Sequence, residues 1–281
     1  MKLLRYGPVG HERPGLLDAA GRIRSLWPAI GDLTPEVISP EGLAIIAAID
    51  PAKLPLVEGQ PRIGVPVAGV RQFFAIGLNY AGHIAEAGLQ QPIAPMVFNK
   101  AITSLCGAED DLLLPPGSKA TDWEVELAVV IGREASHVAV TDALNHVAGY
   151  CAVNDVSERD WQLHRGGQFV KGKSAPTFGP LGPWLVTKDE IPDPQKVVLR
   201  LDVNGAIRQS ATTADMVFDV RQIVSHLSEV LTLLPGDVIA TGTPAGVGGG
   251  MKPPVYLKAG DVVHLSSPQL GRQRQKVLAR E

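Results

Sequence analysis

The chain is short of cysteine, aromatic residues, long apolar runs and stretches of one charge sign, and each shortage narrows what it can do. Its two cysteines, Cys106 and Cys151, make neither a disulfide framework nor a Cys-x-x-Cys pair, so both are expected to be reduced core residues. A net charge of -3 with no basic run argues against nucleic acid as a partner. No apolar stretch approaches the roughly 18 residues a membrane span requires. The opening Met1-Lys-Leu-Leu-Arg-Tyr-Gly-Pro8 also lacks the apolar core of a secretory leader. These absences predict a soluble cytoplasmic protein with no membrane partner.

What the chain does have is glycine and proline, 30 and 23 residues, which favour turns between strands over a helical bundle. Strand signals recur near Phe73 and Met96, over residues 124–131, 147–154 and 197–203, and from Asp237 and Asp261. Helices are expected over residues 40–49, 155–164 and 220–233. Strands following strands predict a mainly β (α+β) fold built on a rolled mixed sheet rather than on βαβ repeats. Pro51, Pro55, Pro61 and Pro66 stud an extended connector. We therefore expect a small N-terminal unit and connector over 1–67 and a larger strand-rich domain over 68–281.

Acidic residues draw most attention. In Asp122-Trp-Glu-Val-Glu-Leu127 the carboxylates of Asp122, Glu124 and Glu126 project to one face of a strand. A solvated acidic face is the plain alternative, but Leu127-Ala-Val-Val-Ile131 is apolar on both faces and marks a strand buried on both sides. Carboxylates entering such a strand must be paired, neutralised or bound to a cation. With Asp155, they would suit Mg²⁺ or Mn²⁺. Asp155, Arg159 and Gln162 fall at i, i+4 and i+7 and would share one helix face, as they also would on an ordinary surface helix. His83 and Glu86 stand three apart, so in a helix a carboxylate would orient an imidazole that can act as a base; an exposed surface pair has the same spacing. Gly77, Gly82 and Gly88 would let this segment move as a lid.

Two glycine-rich segments need separate treatment. Gly167-Gln-Phe-Val-Lys-Gly-Lys-Ser174 matches the phosphate-loop pattern letter for letter. Such a loop must leave a strand and open a helix, whereas this one follows a predicted helix and meets Pro176, Gly179 and Pro180. Nucleotide binding is therefore rejected. Thr241-Gly-Thr-Pro-Ala-Gly-Val-Gly-Gly-Gly250 follows a strand and can present backbone N–H groups and the Thr243 hydroxyl to a carboxylate, or it can be a flexible hairpin tip.

These segments, with Phe98-Asn-Lys100 and Phe178-Gly-Pro-Leu-Gly-Pro183, occur in an order that resembles the fumarylacetoacetate hydrolase family over roughly residues 68–265. The resemblance implies that family's mixed β-sandwich roll with a small N-terminal α/β domain, and a homodimer. It implies metal ligands at Glu124, Glu126 and Asp155, a water-activating His83 and Glu86, and catalytic Lys173, Gln162 and Arg159. Substrate contacts would come from Thr243, Gly242, Tyr80 and Lys100. Founding members have a fourth aspartate ligand where this chain offers Asn79 and Tyr80, so a three-carboxylate site is expected.

The opening segment, with Arg13-Pro-Gly-Leu-Leu-Asp18, resembles bacterial members acting on 2,4-diketo-3-deoxy sugar acids, a branch often labelled ureidoglycolate lyase. The implied reaction is metal-dependent cleavage of a 2-keto acid such as 2,4-diketo-3-deoxy-L-rhamnonate to pyruvate and L-lactate. Oxaloacetate decarboxylation, isomerisation, ureidoglycolate cleavage and non-catalytic binding of a metal and keto acid are the rivals.

Overall fold

Strand Val125–Ile131 has no exposed position, because it is flanked on both edges and covered on both faces. Strand Val147–Asn154 pairs with one edge and Val238–Ala240 with the other, both antiparallel. Side chains alternate between two cores. Val125, Leu127, Val129 and Ile131 pack in a cluster with Leu199, Leu201, Val263 and Leu265 of a second sheet. Ala128 and Val130 pack in another with Leu3, Leu26, Leu33 and Ile38 from the first forty residues. The computed structural model that shows this describes residues 1–280.

The larger sheet has ten strands. In spatial order it runs Ile23–Ser25, Arg13–Leu17, Lys2–Tyr6, Gly179–Thr187, Val147–Asn154, Val125–Ile131, Val238–Ala240, Phe73–Gly77 and Met96–Lys100, with Leu105–Cys106 joining the Gly179 end in parallel. The five-stranded sheet runs Ala206–Thr212, Val198–Val203, Val262–Ser267, Gly271–Ala279 and Leu112–Leu114. This mixed, rolled, strand-rich architecture is the one expected from the recurring strand signals. Lys2–Tyr6 pairs antiparallel with Gly179–Thr187, so the N-terminal strands extend the edge of the large sheet.

Helices are few and locally encoded. Ser39 accepts a hydrogen bond from Gly42 N at 3.1 Å and starts Pro40–Ala47. Asp219 and Gln222 exchange a reciprocal pair that starts Val220–Val230, whose Ile223, Val224 and Leu227 face the core. The helix expected over 155–164 begins only at Arg159. Ser157 and Glu158 instead pair as a short strand with Asp122 and Thr121, so Asp155 lies in extended chain ahead of the helix. Its inferred place on a shared helix face is thereby corrected. Among the described residues no helix is long and apolar enough to cross a membrane.

One buried side chain ties the two sheets together beside the acidic strand. Gln209 accepts from Val125 N at 2.9 Å and donates to Thr243 Oγ1 and Pro244 O, each at 2.8 Å. Replacing it with leucine leaves Val125 N and Pro244 O without this partner in the interior, while Thr243 Oγ1 keeps only its bond to Val125 O. Gln209→Leu is expected to lower unfolding free energy by about 2–4 kcal/mol, read from the midpoint of urea denaturation; an unchanged midpoint would show that water replaces the amide.

Candidate metal centre and active site

Antiparallel pairing brings the acidic groups together. Asn154 lies opposite Val125, so the end of one strand meets the start of the next, and Asp155 N donates to Glu124 O at 2.9 Å. Carboxylate oxygens of Glu124, Glu126 and Asp155 consequently lie within 4.8 Å of one another, and all three residues are buried.

Three cations surround them. Lys173 Nζ donates to Glu124 Oε2 at 2.8 Å and to Asp155 Oδ2 at 2.7 Å. Lys100 Nζ makes an ion pair with Asp155 Oδ1 at 2.6 Å and also donates to the carbonyls of Val156 and Lys173. Arg159 Nη1 stands 2.7 Å from Glu124 Oε1 and donates to Gln162 Oε1 at 3.1 Å. Among the described residues Glu126 has no cation paired with it; its Oε2 accepts from Gly242 N at 2.7 Å.

The electrostatics follow from this uneven pairing. Burial disfavours the charged form of Glu124, but Lys173 and then Arg159 outweigh it and hold the carboxyl below its ordinary range. Burial opposes the charge on Lys173 too, yet Asp155 and Glu124 keep the amine more basic than usual. For Glu126 burial acts first, and the carboxylates of Asp155 and Glu124 add to it, raising its pKa well above the usual carboxylate value. Including the buried Asp122, four carboxylates face three cations. Three hard oxygen donors, one of them without a cation partner among the described residues, fit a divalent cation, which would favour the ionised form of Glu126.

The opposite wall carries the imidazole. His83 and Glu86 lie on helix Ala81–Ala87, with Nδ1 3.3 Å from Glu86 Oε2. Gly246 N reaches both Glu86 oxygens, at 3.1 and 3.2 Å. A cavity of about 540 Å³ lies between the walls, lined by His83, Glu86, Glu124, Glu126, Arg159, Gln162, Lys173 and Thr243. Leu78, Leu89, Met96, Phe98, Phe169 and Met251 form much of its apolar lining.

Other expected positions lie elsewhere. Lys100 is buried behind Asp155 and does not line the cavity. Tyr80 is also buried off the cavity wall, and its hydroxyl has no hydrogen-bond partner among the described residues. Gly242 acts through its N–H on Glu126, whereas Thr243 reaches the cavity and donates to Val125 O at 3.0 Å. The phosphate-loop look-alike follows helix Arg159–His164 and delivers Lys173 to the carboxylates. Sequence reasoning missed Gln209, whose partners are far away in the chain. It noted Asp122 only as a member of the acidic alternation.

The arrangement is a buried carboxylate triad able to hold a divalent cation beside an imidazole–carboxylate pair, set in a rolled β architecture. The fumarylacetoacetate (FAA) hydrolase C-terminal family model matches residues 72–278, and the chain belongs to that family. It is 58% identical over 276 residues to a Burkholderia cenocepacia protein named only as a candidate hydrolase, covering 98% of each chain. A solved fumarylacetoacetate hydrolase from Exiguobacterium antarcticum superposes with a TM-score of 0.89 at 38% identity over the whole of both chains. A maleylpyruvate hydrolase from Sphingobium sp. SYK-6, solved with manganese(II) and pyruvate, gives 0.81 at 30% identity over the whole of both chains.

Glu126 supplies the test of the centre. Its raised pKa means that ionising Glu126 costs the metal-free fold stability as pH rises through and above the ordinary carboxylate range. Glu126→Gln is expected to raise the melting temperature of chelated protein by about 2 °C while abolishing the stabilisation that added Mn²⁺ gives the wild type. Differential scanning calorimetry with and without Mn²⁺ reads both effects, and a retained Mn²⁺ shift in the variant would remove Glu126 from the ligand set.

Proposed function

We propose that the protein is a divalent-metal-dependent hydrolase of a carbon–carbon bond in 2,4-diketo acids, releasing pyruvate. The finer reading is a 2,4-diketo-3-deoxy sugar acid such as 2,4-diketo-3-deoxy-L-rhamnonate, with L-lactate as the second product. The observation that carries the proposal is a buried carboxylate triad of which Glu124 and Glu126 line a cavity, with an imidazole–carboxylate pair lining the same cavity. Pyruvate and manganese(II) in the Sphingobium relative support it.

Mg²⁺ or Mn²⁺ held by Glu124, Glu126 and Asp155 would supply Lewis acidity toward the 2-keto oxygen. His83, oriented by Glu86, takes a proton from water as its oxygen attacks C4. The C3–C4 bond then breaks with its electron pair moving into the pyruvate fragment as an enolate. Lys173 places an ammonium beside that developing charge. A proton returns to C3 to give pyruvate, and the C4 fragment departs as a carboxylic acid carrying the water oxygen. Thr243 and Arg159 hold polar ends of the substrate, while the apolar lining excludes bulk water. A water-activating dyad favours hydrolysis over simple isomerisation.

Chelated protein is expected to release no pyruvate from 2,4-diketo-3-deoxy-L-rhamnonate, and added Mg²⁺ should restore pyruvate and lactate in equal amounts. With His83→Ala, turnover should fall about 100-fold while pyruvate binding changes little, as read by stopped assays and calorimetry. Restored turnover of 2,4-dioxopentanoate but not of the sugar acid would keep the reaction and discard the sugar. Pyruvate formed with release of carbon dioxide from oxaloacetate alone would replace hydrolysis by decarboxylation.

A further inference from the structure

Asp122 is fully buried and lies outside the cavity wall, yet it gathers N–H groups from three separate segments. Its Oδ1 accepts from Trp123 N at 2.8 Å and Gly248 N at 2.7 Å. Its Oδ2 accepts from Gly249 N and Arg159 Nε, both at 2.9 Å, and Arg159 Nη2 stands 2.8 Å from the same oxygen. A carboxylate removed from water in this way depends on each of these partners.

Each arm leads to a different wall of the cavity. Arg159, anchored by Asp122, turns its other nitrogen onto Glu124 Oε1 at 2.7 Å. The glycine turn, anchored at Gly248 and Gly249, seats Glu86. Gly246 donates to both Glu86 oxygens, and a Cβ on Gly250 would lie 2.4 Å from Glu86 Cδ. At its start the turn is pressed onto the strand Ala206–Thr212. Gly246 has φ 104°, and a Cβ there would lie 1.9 Å from Arg208 O. The turn is therefore held by backbone contact at one end and by Asp122 at the other, with Glu86 resting on it.

We infer that Asp122 is a positioning residue for the reaction, setting Glu124 through Arg159 and the seat of Glu86 through the 246–250 turn. It thereby fixes the distance between the cation-binding wall and the water-activating wall. The inference rests on the proposed hydrolase reading and adds a residue to it. Effects of this kind, one contact removed from the ligands, commonly amount to 10- to 100-fold in metal affinity or activity.

Asp122→Asn tests it, because the amide keeps an acceptor for Trp123 and Gly248 but sets a donor against Gly249 and Arg159. The assay follows pyruvate release from 2,4-dioxopentanoate, with active sites counted by Mn²⁺ titration and backbone exchange followed by mass spectrometry. The expected result is a kcat per Mn²⁺ site lower by about 10- to 100-fold, a KM near wild type, weaker Mn²⁺ binding, and faster exchange over residues 246–250 than over Val125–Ile131. A purely structural role would reduce the number of Mn²⁺ sites and leave kcat per site unchanged, which overturns the inference. Gly250→Ala probes the second arm without touching Asp122, and remains decisive if the asparagine variant does not fold. It should lower kcat while keeping Mn²⁺ affinity, and an unchanged kcat would overturn the claim that the turn seats Glu86. Wild-type protein that binds no Mn²⁺ and releases no pyruvate would remove the proposed function together with this inference.

Discussion

Negative charge buried at the end of one strand is the constraint on which the site depends. An unpaired buried carboxylate costs several kcal/mol, and Asp122, Glu124, Glu126 and Asp155 are all buried. Lys100, Lys173 and Arg159 offset three of these charges from three different segments. The surrounding chain is arranged to bring those cations there. The Met96–Lys100 strand delivers one, the turn of helix Val170–Lys173 another, and the helix starting at Arg159 the third. Glu126, the carboxylate left without a cation partner among the described residues, is what would let the centre receive a divalent cation rather than close as an ion-pair network.

Such a network is expensive as a way to stabilise a fold, since apolar residues of similar volume often serve as well or better. Its retention makes sense where pre-oriented charge is needed for chemistry. The same logic separates the two walls. Ion pairs between 2.6 and 2.8 Å fix the carboxylate side, whereas the helix bearing His83 is tied to the facing turn by longer contacts to Glu86. Rigidity on one side and looser attachment on the other suit a site that must admit and release a small molecule.

Much of this was legible in the chain because it is encoded locally. Alternation of Glu124 and Glu126 ahead of the apolar run 127–131 marked a buried acidic strand, and the structure confirms its burial. The His83–Glu86 spacing is met on one helical face. What escaped local reading depends on distant partners. Gly179–Thr187 contains two prolines and two glycines and is missing from the expected strands, yet it is a nine-residue strand between Lys2–Tyr6 and Val147–Asn154. Gln209 looks like an ordinary polar strand residue until the Thr243 segment is brought against it. The helix expected from Asp155 was displaced because Ser157 and Glu158 are captured by a strand partner more than thirty residues earlier.

Two lysines share one aspartate, Lys100 on Oδ1 and Lys173 on Oδ2. Loss of either leaves Asp155 half-compensated and alters what the other amine experiences, so changes in this cluster are strongly non-additive. Descendants of such a chain can seldom explore the cluster one substitution at a time. Leu78, Leu89, Met96 and Met251 line the same cavity without entering that network, so no shared charge couples them. Single substitutions that reshape the cavity therefore meet less resistance on the apolar wall than in the charged cluster, where a change at one residue demands compensation at another.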